Sequence, residues 1–108
     1  FLLEATREVP KRLQNPKRRT IGIRIPDNAI VSMLLAELGE PIMSSTLLLP
    51  GESATPTDPQ EIKDKLNHLV DLVIDGGTGG IEASSVVDHS SGAPVIVRRG
   101  KGDVSAFE

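Results

Sequence analysis

In the stretch KRRTIGIRIPD, Ile21, Ile23 and Ile25 alternate with Gly22 and Arg24, and Pro26 closes the run. Apolar residues at period two make a β-strand with one buried face, a pattern that a helix would scatter around its circumference. A strand over RTIGIRI must therefore lay its isoleucines against a second layer. Arg24 then falls on the reverse face, just before a proline that cannot donate to a ladder. A guanidinium in that place needs water or an anion opposite it.

Other segments extend the picture. FLLEAT reads as a strand that ends before Pro10, and residues 11–18 as a basic loop or short helix interrupted by Asn15-Pro16. Asp27 is placed to cap a helix whose apolar stripe is Ile30, Met33, Leu34 and Leu38, with Gly39 as its stop. PIMSSTLLL is expected as a strand closed by Pro50-Gly51. In TDPQE, Asp58 stands at an N-cap, Pro59 in the first turn and Glu61 in position for a capping box; Ile62, Leu66 and Leu69 form the apolar face. VDLVID reads as a buried strand. SSVVDH and APVIVRRG read as two more, joined by a turn at Ser90–Gly92, and KGDVSAFE as a short final helix. Strands alternating with helices predict a mixed α/β sheet flanked by helices.

Composition narrows the chemistry. The 108 residues suit one domain, and the chain has no Trp, Tyr or Cys. Without cysteine there is no disulfide, thiol nucleophile or thiolate metal site. Phe1 and Phe107 are the only aromatics, too few for base-stacking platforms on single-stranded RNA. No apolar run reaches membrane-spanning length, so a cytoplasmic protein with no membrane partner is expected. The net charge of −3 is unevenly spread: residues 1–24 carry +5 and the remainder −8. Such polarity suits one face that meets an anion.

Three polar clusters fall at expected strand ends, where open α/β sheets hold ligands. They are Arg24 with Pro26, Ser44-Ser45-Thr46, and Ser84-Ser85 with Arg98-Arg99-Gly100. Guanidinium forks grip phosphate oxygens in pairs and hydroxyls fill the remaining lone pairs, although serine hydroxyls more often bond nearby backbone. DGGTGG lacks the Lys-Ser/Thr ending of a Walker motif and reads as a turn. His68 and His89 have no ligand-like spacing, Asp71, Asp75 and Asp88 suit strand-end turns, and no metal site or catalytic triad is expected.

In order and spacing, PKRRTIGIRIPDN, GEPIMSSTLLLPG, VDLVIDGG and SSVVDHSSGAPVIVRRGKG resemble the C-terminal half of YrdC-type proteins, in particular their YciO branch. The resemblance covers essentially the whole chain. It implies a twisted mixed sheet with helices around a concave, positive cavity, and makes residues 1–108 the C-terminal portion of a single YrdC-like domain. The start on FLLEATREVP without Met fits a fragment whose N-terminal half is absent. Family members of known activity are L-threonylcarbamoyladenylate synthases. From L-threonine, bicarbonate and ATP (as substrate, with Mg2+) they release pyrophosphate and supply the intermediate for threonylcarbamoyladenosine in tRNA; some are described as binding double-stranded RNA.

Carried over by position, the resemblance puts Arg24 and Pro26 beside the nucleotide, through the family's Arg-x-Pro segment. Ser44, Ser45 and Thr46 match the opening of a Ser-Thr-Ser-Ala-Asn motif near the phosphates. Ser84 and Ser85 match a Pro-Ser-Thr-Val-Val-Asp segment, and Arg98 the arginine of a Leu-Arg-x-Gly ending that reaches phosphate. Lys17, Arg18 and Arg19 would extend the positive rim toward double-stranded RNA or tRNA. Three positions depart from the pattern: Leu48 stands at the motif's asparagine, Ser85 at its threonine and Ala83 at its proline. The absent half holds the threonine-contacting segment and a Lys-x-Arg pair on the triphosphate, so this stretch alone is not expected to turn over. Two functional classes follow, an adenylate-forming enzyme and a non-catalytic nucleotide or RNA binding module.

Overall fold

The computed structural model describes residues 1–80 and 82–108. They form a mixed α/β structure with four short strands, β1 (Leu2–Glu4), β2 (Thr20–Gly22), β3 (Val86–Asp88) and β4 (Val95–Arg98), and two α-helices, α1 (Ala29–Leu38) and α2 (Pro59–Leu66). Single 3-10 turns lie at Lys11–Leu13 and Ser105–Phe107. The chain divides into two compact units, Phe1–Ile25 with Glu82–Glu108, and Pro26–Ile81.

The first unit holds the whole sheet, in the order β2-β1-β3-β4. β1 runs antiparallel to β2 and parallel to β3, and β4 antiparallel to β3. β2 and β4 therefore point the same way and end at the same end of the sheet. Phe1 extends the β1–β2 ladder, its ammonium donating to the Ile23 carbonyl and its carbonyl accepting from Ile23 N–H, both at 2.7 Å. Between β3 and β4 the register slips by one residue. Val87 faces Ile96 but Val86 faces Arg98, so Val97 is the extra residue of a β-bulge.

Paired residues share a face and successive residues alternate. One face therefore carries Leu3, Ile21, Val87 and Ile96, and Val87 is 3% exposed. On this side Phe1, His89 and Phe107 stack as a trio of rings with centroids 5.5 to 5.8 Å apart. Val104, at the start of the last 3-10 turn, is buried too. The other face carries Leu2, Gly22, Asp88 and Val95 in one row, and Val86 with Arg98 in another. The alternation read from Ile21 and Ile23 is thus present. The strand is shorter than RTIGIRI, however, and Ile25, expected in the core, is 76% exposed because no ladder continues past Ile23.

The second unit is built on the two helices. Asn28, not Asp27, caps α1: its side chain accepts from Val31 N–H at 3.1 Å, one residue later than expected. Gly39 ends the helix in the left-handed region at φ 74°, with its N–H on the Leu35 carbonyl. The expected stripe of Ile30, Met33, Leu34 and Leu38 is exposed, and Val31 and Leu35 are the more sheltered positions. Asp58 caps α2 through Gln60 N–H at 3.1 Å. Glu61 closes no capping box. It joins Glu52 around Lys65, at 3.0 and 2.5 Å, because an i,i+4 ammonium lies within its reach.

PIMSSTLLL and VDLVID, expected as strands, form no ladder. Among the described residues, neither 40–48 nor 71–75 makes a backbone–backbone hydrogen bond. A strand exists only with a partner for its N–H and C=O groups, and this chain supplies none to these segments. Their pattern is that of strands; their pairing is missing.

Candidate functional site

The closest convergence of candidate residues lies where β3 begins and β4 ends. Arg98 reaches back over the segment preceding β3, with Nε donating to the Ser84 carbonyl at 2.8 Å and Nη2 to the Ser84 hydroxyl at 3.1 Å. Its Nη1 amino group has no protein partner among the described residues, and the side chain is exposed. A guanidinium braced on one edge and open on the other is oriented to take an anion with its free N–H groups. The serine–arginine pairing read from the sequence is a direct contact here.

Ser85 does something else. Its hydroxyl accepts from Gly100 N–H at 2.9 Å and donates to the Gly102 carbonyl at 2.5 Å. The one O–H donor is thereby committed to the backbone, and the segment after β4 is pinned against the one before β3. Lys101 N–H adds a bond to the Ala83 carbonyl at 2.9 Å. The two backbones run so close that a Cβ on Gly100 would stand 2.6 Å from the Ser84 carbonyl carbon, and nearer still to the Ala83 oxygen. Only glycine fits there. Nothing in the sequence beyond the RRG run pointed to this constraint, and Ser85 is a staple that positions its neighbours. Arg99 turns away to an ion pair with Glu108.

Arg24 is exposed and has no hydrogen-bond or ion-pair partner among the described residues. Its place follows from register. Two residues past Gly22, it continues the face of Gly22 and Asp88 and stands level with the Val86–Arg98 row. Three inter-strand spacings separate the two arginine-bearing strands, roughly 14 Å. Both arginines thus mark one end and one face of the sheet, at its opposite edges. They share no contact.

The same face holds Asp88. Bonds from the Ser90 hydroxyl (2.6 Å) and Ser90 N–H (2.8 Å) hold its carboxyl below the ordinary carboxylate value, with smaller help from the Arg18 charge. This is strand-end turn chemistry, as expected for Asp88.

Lys17, Arg18 and Arg19 sit in a tight turn between β1 and β2. The Asn15 side chain accepts from Lys17 and Arg18 N–H at 3.0 and 3.2 Å, and Arg19 N–H returns to the Asn15 carbonyl at 2.8 Å. Arg19 is held in the left-handed region at φ 53°, unusual for a side chain of its size. All three are exposed and free of carboxylate partners among the described residues.

The remaining candidates, Pro26, Ser44, Ser45 and Thr46, belong to the other unit. The three hydroxyl residues are exposed in the unpaired segment, with no side-chain hydrogen bond among the described residues, and Leu48 beyond them is exposed as well. Two hollows of about 370 and 470 Å³ occur in this unit. One lies between α2 and residues 70–75, the other under the 51–57 loop beside Lys65, and no candidate residue lines either. Among the described residues, no three acidic or histidine side chains gather as a metal site would require, and no helix is long and apolar enough to cross a membrane.

Comparison with known proteins supplies the context. The Sua5/YciO/YrdC family model, described as "Telomere recombination", matches residues 1–100. A relative from Escherichia coli (strain K12), named "Uncharacterized protein YciO", is 50% identical over 107 residues, covering 99% of this chain and 52% of its own length. The crystal structure of E. coli YciO superposes with a TM-score of 0.85 over 99% of this chain and 52% of that one. A "Threonylcarbamoyl-AMP synthase" from Bacillus subtilis (strain 168) is 32% identical over 82 residues, 75% of this chain and 23% of the synthase. The chain spans about half the length of the YciO relatives it matches.

Proposed function

Because this chain belongs to the Sua5/YciO/YrdC family, we propose that it supplies the phosphate-holding part of an ATP-dependent site of the threonylcarbamoyladenylate-synthase type. The observation that carries the reading is the Arg98 guanidinium, braced by Ser84 with its Nη1 group open, at the end of the sheet where Arg24 also stands. Two arginines roughly 14 Å apart at strand level can close on one polyphosphate from its two sides. The threonine nitrogen attacks carbon dioxide or bicarbonate, and the resulting carbamate attacks the α-phosphorus with release of pyrophosphate. Arg24 and Arg98 offset the charge that develops on the phosphoryl oxygens. Ser85 and Gly100 act through Arg98 by holding the backbone it leans on. Ser44, Ser45, Thr46 and Pro26 complete the nucleotide contacts. Any Mg2+ arrives on the triphosphate as part of the substrate, since the described residues offer it no cluster of their own. No side-chain nucleophile is required.

The test uses this chain within a polypeptide of the relatives' full length, incubated with ATP. Expected is AMP-containing product that depends on both L-threonine and bicarbonate, and a roughly 10²-fold lower rate for Arg98→Lys, which loses the fork. AMP formation indifferent to threonine and bicarbonate would remove the enzyme reading. A non-catalytic binding module is favoured by two observations: Leu48 at the position of the family's asparagine, and the unpaired Lys17-Arg18-Arg19 turn. Binding of duplex RNA or tRNA there would weaken steeply with salt; a flat salt profile would exclude it.

A further inference from the structure

Two stretches of the Pro26–Ile81 unit have the composition of sheet interior and the surroundings of neither sheet nor core. Pro41–Pro50 carries no charged residue, yet Met43 is 82% exposed and Leu48 is open to solvent. Both of its faces are partly apolar, Ile42 and Leu48 on one and Met43, Leu47 and Leu49 on the other, as in a strand covered on both sides. In residues 70–75 the alternation is sharper. Val70, Leu72 and Ile74 share a face and are all exposed, with Leu72 at 76%, while Asp71 and Asp75 lie on the reverse. The 370 Å³ hollow beside this segment is lined by Val70, Leu72 and Val73 and by Gln60, Lys63 and Asn67 of α2. Exposed apolar surface joined to unsatisfied strand backbone is a template for pairing with another length of chain.

We propose that residues 41–49 and 69–74 are a docking surface for β-strands from the polypeptide equivalent to the half of YciO-type proteins that this chain does not match. The occupant is inferred from length. The E. coli YciO chain superposes on 99% of this one with only 52% of its own residues, so an architecture of this kind includes a second portion of comparable size. The charge-free 41–49 stretch asks for an apolar partner with free backbone groups, which a strand provides and a nucleic acid does not. A second copy of this chain would bring its own two unpaired segments but no further edge strand suited to both. The inference rests on family membership and stands apart from the catalytic reading.

The test compares amide hydrogen exchange in the 108-residue chain with that of the same chain joined to the remaining portion of E. coli YciO. Expected is a rise in protection of roughly 100-fold or more at the amides of 42–48 and 71–74 in the long form. Met43→Asp and Leu72→Asp should leave the short chain's spectrum unchanged, since both side chains are in solvent there, and lower the melting temperature of the long form by several degrees. Equal exchange in the two forms would overturn the proposal. So would protection that appears in the short chain as its concentration rises, which would assign the surface to a second copy.

Discussion

The unit of Phe1–Ile25 with Glu82–Glu108 and the unit of Pro26–Ile81 carry strand-like sequence in similar measure, but only the first has a sheet. In the first, β1 finds β2 and β3 on its two sides, Val87 is buried and three rings close over the same face. In the second, Leu66 is the one buried apolar residue described, and order comes from helix caps and the Glu52–Lys65–Glu61 bridge. Alternation tells which face of a segment wants cover. Whether the segment becomes a strand depends on a partner, which is a property of the assembled sheet rather than of the segment.

This contrast can be broken experimentally. The largest expected effect is on the sheet unit. Gly100→Ala drives a methyl into the Ala83–Ser84 backbone and should destabilise that unit by up to about 3 kcal/mol. Protection at Val95–Arg98 should collapse while α1 and α2 amides keep theirs; loss in both units together would mean they unfold as one. A smaller effect belongs to the helical unit. Asp58→Ala removes the α2 cap at a cost of about 1 kcal/mol, read as faster exchange in Pro59–Leu66 with the sheet unaffected. Weakest is the pH response of Asp88. Its carboxyl is held below the ordinary 3.8, so its contribution is complete above that value and fades as pH falls through the lower folded value. Asp88→Asn, which still offers Ser90 an acceptor, should flatten the acid side of the sheet unit's stability curve and leave the helical unit's curve as it was. An unchanged acid limb would show that the Ser90 bonds stabilise nothing.

Much of the architecture was legible because local chemistry settles it. Asp58-Pro59 begins a helix wherever it is placed, Gly39 ends one, and the isoleucine alternation marks a strand. The contact of Arg98 with Ser84 was legible as a type of pairing, from hydroxyls and arginines at neighbouring strand ends. Asn28 was missed as the α1 cap because Asp27 is chemically equivalent and sits next to it. Gly100 and Ser85 were missed for a different reason. Their importance lies in how near two backbones pass, and that distance has no signature in either segment alone. The strands read over 41–49 and 70–75 failed for want of something to pair with.

The bulge at Val97 has a consequence for how this family's sequences can change. In an unbroken ladder Arg98 would stand opposite Ser85 and project from the side of Val87; the inserted residue turns it over to the side of Arg24. Substitutions along β4 are therefore tolerable so long as they fit, whereas deleting a single residue between Val95 and Arg98 would send the arginine head into the packed layer. Length, more than identity, is what this strand has to preserve.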